Sequence, residues 1–498
     1  MKTCIRLALL VTVLMMCFIL PAHAAASSYD EVVTLTDFID PIFIDAINGN
    51  LDKKISYEMD GKQIAEWNGQ TRTFTVKGPL DISTQNGFLW FNPHDFASDQ
   101  KNVTIVIDGQ VSLASTAANG HLIDAWVGGP YPFEFEVNLT STGYNSANPS
   151  ASASSLSLKT TGTDSNGIQS SVLNVKDLYI KELDVNCIGM FASDRLTVSN
   201  TTIDHASSQI GSIMEGAHDN DSFEGMTLDN VTINKMDAQA VDSAAVNSPG
   251  TLTIRNSQIS NLSAGNFGFI TSGTITVENS DLSNASCGVH LIATESDIEI
   301  KNSKFSSFET GSSSIISDGF VSVSNSAINN ATVTDGHIIE GLGSGASLNA
   351  SSITNSKAEL RGAAIGGSNV QIKASSIPNF TGENIVSSGG NVSIQDSELS
   401  GVTTWSSVWA AGDLALSNTA LSSTSTEPGA PGLYTGTGNF KLNGVAAEVP
   451  TSPVISIKPP VVSDPAVPHT GDNTPIALLS MLMLISLIMI IRNRKLAV

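Results

Sequence analysis

The feature that most restricts the fold is a repeat. The pattern apolar-x-apolar-x-Asn-x-x-apolar starts at Leu173 (LNVKDLYI), Leu196 (LTVSNTTI), Met226 (MTLDNVTI) and Leu252 (LTIRNSQI). It returns at Ile275 (ITVENSDL), Ile298 (IEIKNSKF), Val321 (VSVSNSAI), Ala346 (ASLNASSI), Val370 (VQIKASSI), Val392 (VSIQDSEL) and Leu414 (LALSNTAL). These eleven copies step by 23, 30, 26, 23, 23, 23, 25, 24, 22 and 22 residues. Alternation with period two is a strand with one face on a core. The Asn stands where alternation breaks, and Asn tolerates left-handed backbone angles better than any residue but Gly. The later apolar residue then faces inward on a second strand.

A third apolar patch lies between copies and ends near a Gly: FGFITSG (267–273), SSIISDG (313–319), GHIIEG (336–341) and ENIVSSGG (383–390). Each repeat therefore carries three short strands separated by turns. One repeat cannot bury its own apolar face, whereas a stack can. The expected fold is all-β: a right-handed parallel β-helix, each strand bonded to its equivalent one coil away at about 4.8 Å, so eleven coils make a rod of roughly 50 Å. A leucine-rich repeat has a similar period, but its Asn comes three places after the paired Leu residues, and here it comes two places after.

The turn column holds Asn200, Asn230, Asn256, Asn279, Asn302, Asn325 and Asn418, with Asp177 and Asp396 as near equivalents and Ala350 and Ala374 as breaks. Stacked side-chain amides in such a column can form an internal ladder. Cys187 and Cys287 lie four coils apart, roughly 19 Å at the strand spacing, against the ~7 Å limit for a disulfide. Both are expected to be buried free thiols.

The strand–Asn-turn–strand corner resembles the pectin-lyase-like β-helix superfamily over about residues 170–425. That resemblance implies the fold and little about activity, because one architecture carries lyases, hydrolases and binding proteins alike. Residues 25–160 are less regular. TFTVKGPLDIS, GFLWFN, NVTIVIDGQVSL and FEFEVNL read there as strands with Gly turns, the first ragged coils plus a cap, with residues 29–49 as the candidate cap. The regular β-helix is placed at 161–446 and a Pro-rich linker at 447–466.

The two ends speak to location. Lys2 and Arg6 precede an apolar run at residues 7–20, and Ala22-His23-Ala24 supplies the small residues a signal peptidase checks, with cleavage before Ala25. Residues 1–24 therefore read as a secretory signal helix. At the other end Val467-Pro468-His469-Thr470-Gly471 precedes an apolar run at 475–491 and the basic stub Arg492, Arg494 and Lys495. As a helix that run spans about 26 Å, workable for a ~30 Å membrane core with local thinning. Motif, apolar run and stub together resemble the LPxTG-type sorting signal of Gram-positive surface proteins, with Val467 in the leading position. The resemblance implies that a sortase cysteine attacks the Thr470 carbonyl, the Thr470–Gly471 bond breaks, and the acyl group passes to an amine of peptidoglycan. Removing both ends leaves 19 basic and 46 acidic residues, a net charge of −27. Such acidity disfavours nucleic acid and anionic membranes as partners.

Chemistry within the rod is sparse. Glycosidases of this architecture carry an Asp-Asp pair, a Gly-His-Gly and an Arg-x-Lys, none of which occurs here, and no catalytic residue is assigned. Glu215, His218, Asp219 and Asp221 in MEGAHDND form the one candidate cation cluster, for Ca²⁺, in the repeat with seven extra residues. Otherwise no cofactor is expected. His290 and His337 occupy similar places two coils apart, roughly 10 Å, too far to share a metal. Trp405 and Trp409 are candidates for stacking on a sugar. The resulting expectation is a wall-anchored, adhesin-like binding or display rod, its ligand a glycan or host surface. The alternatives are a wall-displayed polysaccharide lyase or glycoside hydrolase, and a structural or shielding surface protein.

Overall fold

The computed structural model describes residues 29–459 apart from 38, 39, 46, 47, 98–100, 126–134 and 218–222. The signal segment with Ala22, Ala24 and Ala25, the motif at residues 467–471, the apolar run and basic stub, and His218, Asp219 and Asp221 lie outside the described residues. The described chain is a parallel β-solenoid of about 16 turns with almost no helix.

Three ladders run its length. The first face starts at Thr73–Lys77, passes through Asn102–Asp108 and Glu136–Ser141, and continues as the repeat strands to Phe440–Leu442, every neighbour parallel. The second face holds the strands that follow the Asn turn, such as Gln258–Ala264 and Asp281–Cys287. The third holds the late apolar patches, such as Phe267–Thr271 and His290–Thr294. Inward residues of all three fill one continuous core. Leu252, Ile254, Ile275, Val277, Ile298 and Ile300 are all at most 1 % exposed, each contributing about 1.5–3 kcal/mol by burial. The ladders reach back beyond the eleven sequence copies because the early coils turn on glycine instead of Asn. Gly109 and Gly143 stand at those corners with positive φ.

The Asn column behaves as its chemistry requires. Asp177, Asn200, Asn230, Asn256, Asn279, Asn302, Asn325, Asp396 and Asn418 all have φ between 44° and 55°. Ala350 and Ala374 hold the same geometry, at 48° and 49°, without a side chain that favours it. Amide-to-amide bonds link Asn230 to Asn200, Asn279 to Asn256 and Asn302 to Asn279 at 3.0–3.4 Å. The ladder is broken where Asn256 turns to Asp229 instead.

A second ladder lies just inside it. Ser257, Ser280, Ser303, Ser326, Ser351, Ser375 and Ser397 follow the turn residue and are all buried. Each backbone N–H from Ser257 to Ser375 donates to the hydroxyl of the next coil's serine at 3.0–3.2 Å. Small hydroxyls thus supply the backbone partners that a tight corner takes from the sheet. A second left-handed corner falls five residues after the Asn column, at Asn261, Asn284, Ser307, Asn330, Asn355 and Asn379.

Reversed strands cover part of each rod end. Lys54–Met59 and Lys62–Asn68 form an antiparallel hairpin whose second strand pairs with Thr73–Lys77, covering the first-face edge. Within the cap expected at 29–49, Glu31–Leu35 joins that hairpin and Ile42–Ile44 starts the third face. At the far end Val454–Ile457 runs antiparallel to Ala420–Ser425, with Ile455 3 % exposed. Part of the segment read as linker is therefore a covering strand. Reversed strands of this kind stop edge-to-edge growth.

Candidate functional site

Outward side chains on the third face form a row in register. From Glu215 it passes through Asn247, Ile270, Ala293 and Ile316 to Glu340, then through Gly366 and Ser387 to Trp409 and Tyr434. Toward the N-terminus the same row holds Phe191, Gln169, Asp124 and Trp90. An outward position on a solvated sheet is ordinarily polar. Ile270 and Ile316 depart from that rule, and two adjoining cavities of about 430 and 520 Å³ open over them. Phe267 and Ile270 belong to both. The Phe267 ring stacks on His290 of the next coil with centroids 5.6 Å apart and planes at 27°.

Beyond Ile316 the row becomes polar. The Ser313 hydroxyl donates to Glu340, and His337 Nε2 lies 3.8 Å from the other carboxylate oxygen. His337 Nδ1 accepts the Ala363 N–H at 2.8 Å, which fixes the tautomer. His290 Nδ1 contacts the Ser313 carbonyl, so the coil between the two histidines bridges them. Burial pushes both imidazoles below their ordinary value, against the pull of the Ser313 carbonyl and Glu340 on His290 and of Glu340, Glu383 and Asp335 on His337.

At the C-terminal end the Trp409 and Tyr434 rings are parallel, with centroids 5.9 Å apart and planes at 3°. Tyr434 is 38 % exposed and Trp405 36 %. Of the two candidate tryptophans, Trp409 stacks on Tyr434 of the next coil. The strand period explains it: residues one coil apart share a row, whereas residues four apart within one coil do not.

Glu215 faces outward in Met214–Gly216 and lines the smaller cavity with Cys187. Among the described residues no group of three His, Cys, Asp or Glu side chains is placed to hold a metal ion. Cys187 and Cys287 are both unpaired. Cys287 is buried and its thiol is pushed up to about 12 by burial; Cys187 is only half-buried, at about 11, because it stands at a corner rather than on a strand.

A third cavity, about 620 Å³, follows the corner between the second and third faces. Its outward row is Asp237, Ser263, Ser286 and Glu309. Its floor is Gly265, Gly288 and Gly311. A Cβ on Gly288 or Gly311 would lie 1.9 or 2.0 Å from the carbonyl of the previous coil's glycine, so only glycine keeps the coil spacing there. Comparison with known proteins finds no family model, no curated protein and no solved structure that matches the chain.

Two features of this face were not read from the sequence. One is Glu340 with its Ser313 and His337 partners. The other is the outward apolar row, whose signal is a doubled apolar residue (Ile315-Ile316, Phe269-Ile270) where strict alternation calls for a polar one.

Proposed function

We propose that the chain is a wall-anchored surface protein whose solenoid carries a carbohydrate-binding face. The parallel ring pair of half-buried Trp409 and exposed Tyr434 carries this reading. Two aromatic rings stacked on successive rungs of a rigid sheet are held at little entropic cost, and the apolar ring surface they leave uncovered suits the apolar face of a pyranose. The row running from the ring pair toward Glu340 gives an extended glycan further hydroxyl and carboxylate contacts.

The location rests on the ends of the sequence. A signal peptide ending near Ala24 exports the chain, and a sortase joins Thr470 to peptidoglycan after the apolar run at 475–491 has held the precursor in the membrane. A right-handed coil of the pectin-lyase type agrees with the near-universal hand of parallel strand connections.

A glycan array probed with purified residues 25–465 tests the binding claim. At least one glycan should bind, and Trp409→Ala should abolish it. An array without hits, or a hit indifferent to Trp409→Ala, would reject the reading. A hydrolase reading is favoured by one observation, the half-buried Glu340 carboxylate beside His337. Product analysis on any bound glycan decides it: cleavage lost in Glu340→Gln would make the face an active site.

A further inference from the structure

The geometry points to a second ligand site on the third face, a groove for an extended cationic peptide with apolar residues between its basic ones. The floor is apolar: Phe267, Ile270, Ala293 and Ile316. The rim is acidic: Glu215 and Asp242 at the smaller cavity, Glu295 and Asp318 at the larger. Among the described residues no Lys or Arg lines either cavity. Among the described lining residues the one histidine, His290, is stacked on Phe267.

None of these four carboxylates has a basic partner among the described residues. Some acids elsewhere along the rod do sit against bases, as in Asp229–Arg255 at 3.0 Å, Glu224–Arg195 at 3.1 Å and Glu299–Lys301 at 2.6 Å. Glu215, Asp242, Glu295 and Asp318 take part in none of the ion pairs among the described residues. Uncompensated acids around an apolar floor repel phosphates and anionic lipids and attract amines and guanidiniums. A neutral glycan would leave them unanswered.

The dimensions suit a short strand. Glu215 and Ile316 are four coil steps apart along the register, about 19 Å at the strand spacing, which an extended peptide covers in about six residues. Basic side chains at the two ends reach the Glu215–Asp242 and Glu295–Asp318 pairs, while the central residues lie on Ile270 and Ala293. This site uses neither Trp409 nor Tyr434, so it stands or falls separately from the carbohydrate reading.

The test is fluorescence anisotropy with the full-length chain in nonionic detergent and the hexapeptide Lys-Ala-Leu-Leu-Ala-Lys carrying an uncharged dye. Saturable binding is expected at low salt. It should weaken as ionic strength rises from about 0.1 to about 1 M, where the screening length falls from about 10 to about 3 Å. The double variant Glu295→Gln/Asp318→Asn, at two exposed corners, should lower affinity roughly fivefold or more. Trp409→Ala should leave it unchanged. Absence of saturable binding overturns the inference. So does equal binding of Glu-Ala-Leu-Leu-Ala-Glu, full affinity in the double variant, or displacement of the peptide by a neutral oligosaccharide.

Discussion

Replacing Ser303 by alanine removes one oxygen from the middle of the buried serine ladder. Ser303 is 4 % exposed. Its hydroxyl donates to the Lys301 carbonyl at 2.7 Å and accepts the Ser280 N–H at 3.2 Å. It also lies 3.4 Å from the Val277 carbonyl, and its partners fare differently when it is lost. The Lys301 carbonyl keeps the Asn279 N–H, 3.0 Å away. The Ser280 N–H is left in a dry corner with no acceptor. Stranding a buried donor costs about 1–3 kcal/mol, more than the ~1 kcal/mol that an average hydrogen bond contributes net. The loss is local, because a solenoid's stability is close to a sum over neighbouring coils. Hydrogen–deuterium exchange read by mass spectrometry over residues 275–285 is therefore the sharper assay, with the urea midpoint as a companion. The Ser280 amide should exchange roughly 5- to 150-fold faster in Ser303→Ala, the rate equivalent of that energy. The outward Ser306→Ala, whose hydroxyl faces solvent, should stay within about 0.5 kcal/mol of wild type. Exchange and midpoint in Ser303→Ala indistinguishable from the Ser306→Ala control would refute the assignment of the ladder as a structural element.

Ala350 occupies a left-handed turn at φ 48°, a conformation that costs a non-glycine residue roughly 1–2 kcal/mol; Ala350→Asn should raise the thermal midpoint, and an unchanged or lower midpoint would contradict that. Burial holds His337 below its ordinary value, so the unfolded chain binds more protons below about pH 6.5 and the histidine's contribution to stability is lost as pH falls through that value. His337→Asn, which keeps an acceptor for the Ala363 N–H, should show a smaller loss between pH 7.5 and 5.5 than wild type, and equal slopes would refute this. Burial raises both thiols, and Cys287 lies the deeper, so iodoacetamide should alkylate Cys187 well before Cys287. The reverse order, read by peptide mapping, would overturn the burial argument.

Much of the fold was legible because a solenoid writes its architecture at short range. The inward positions of Leu252, Ile254, Ile275 and Val277 and the turn at Asn256 follow from period two and one left-handed residue. The early coils were harder, since Gly109 and Gly143 turn the chain without an Asn to mark it. The serine ladder was hidden for a different reason. Ser303 looks like an ordinary turn residue until the next coil's Ser326 is laid above it, a relation 23 residues long. The second left-handed column had a signal, the Asn five places on in NSQISN, NSDLSN and NSAINN, which the strand pattern masked. The third-face row depends on which residues of successive coils share a rung. Trp409 and Tyr434 are 25 residues apart in sequence, and no local pattern joins them.

Cross-linking across neighbouring coils probes this stacking most directly. Ser283 and Ser306 are partners on adjacent coils, and Asn329 follows Ser306 one coil further on. Adjacent partners about 4.8 Å apart fall inside the span of a disulfide, and a two-coil separation near 10 Å falls outside it. Under mild oxidation Ser283→Cys with Ser306→Cys should close a disulfide that peptide mapping detects, while Ser283→Cys with Asn329→Cys should not. Failure of the first pair, or equally rapid closure of the second, would contradict the coil register on which every row and site described above depends.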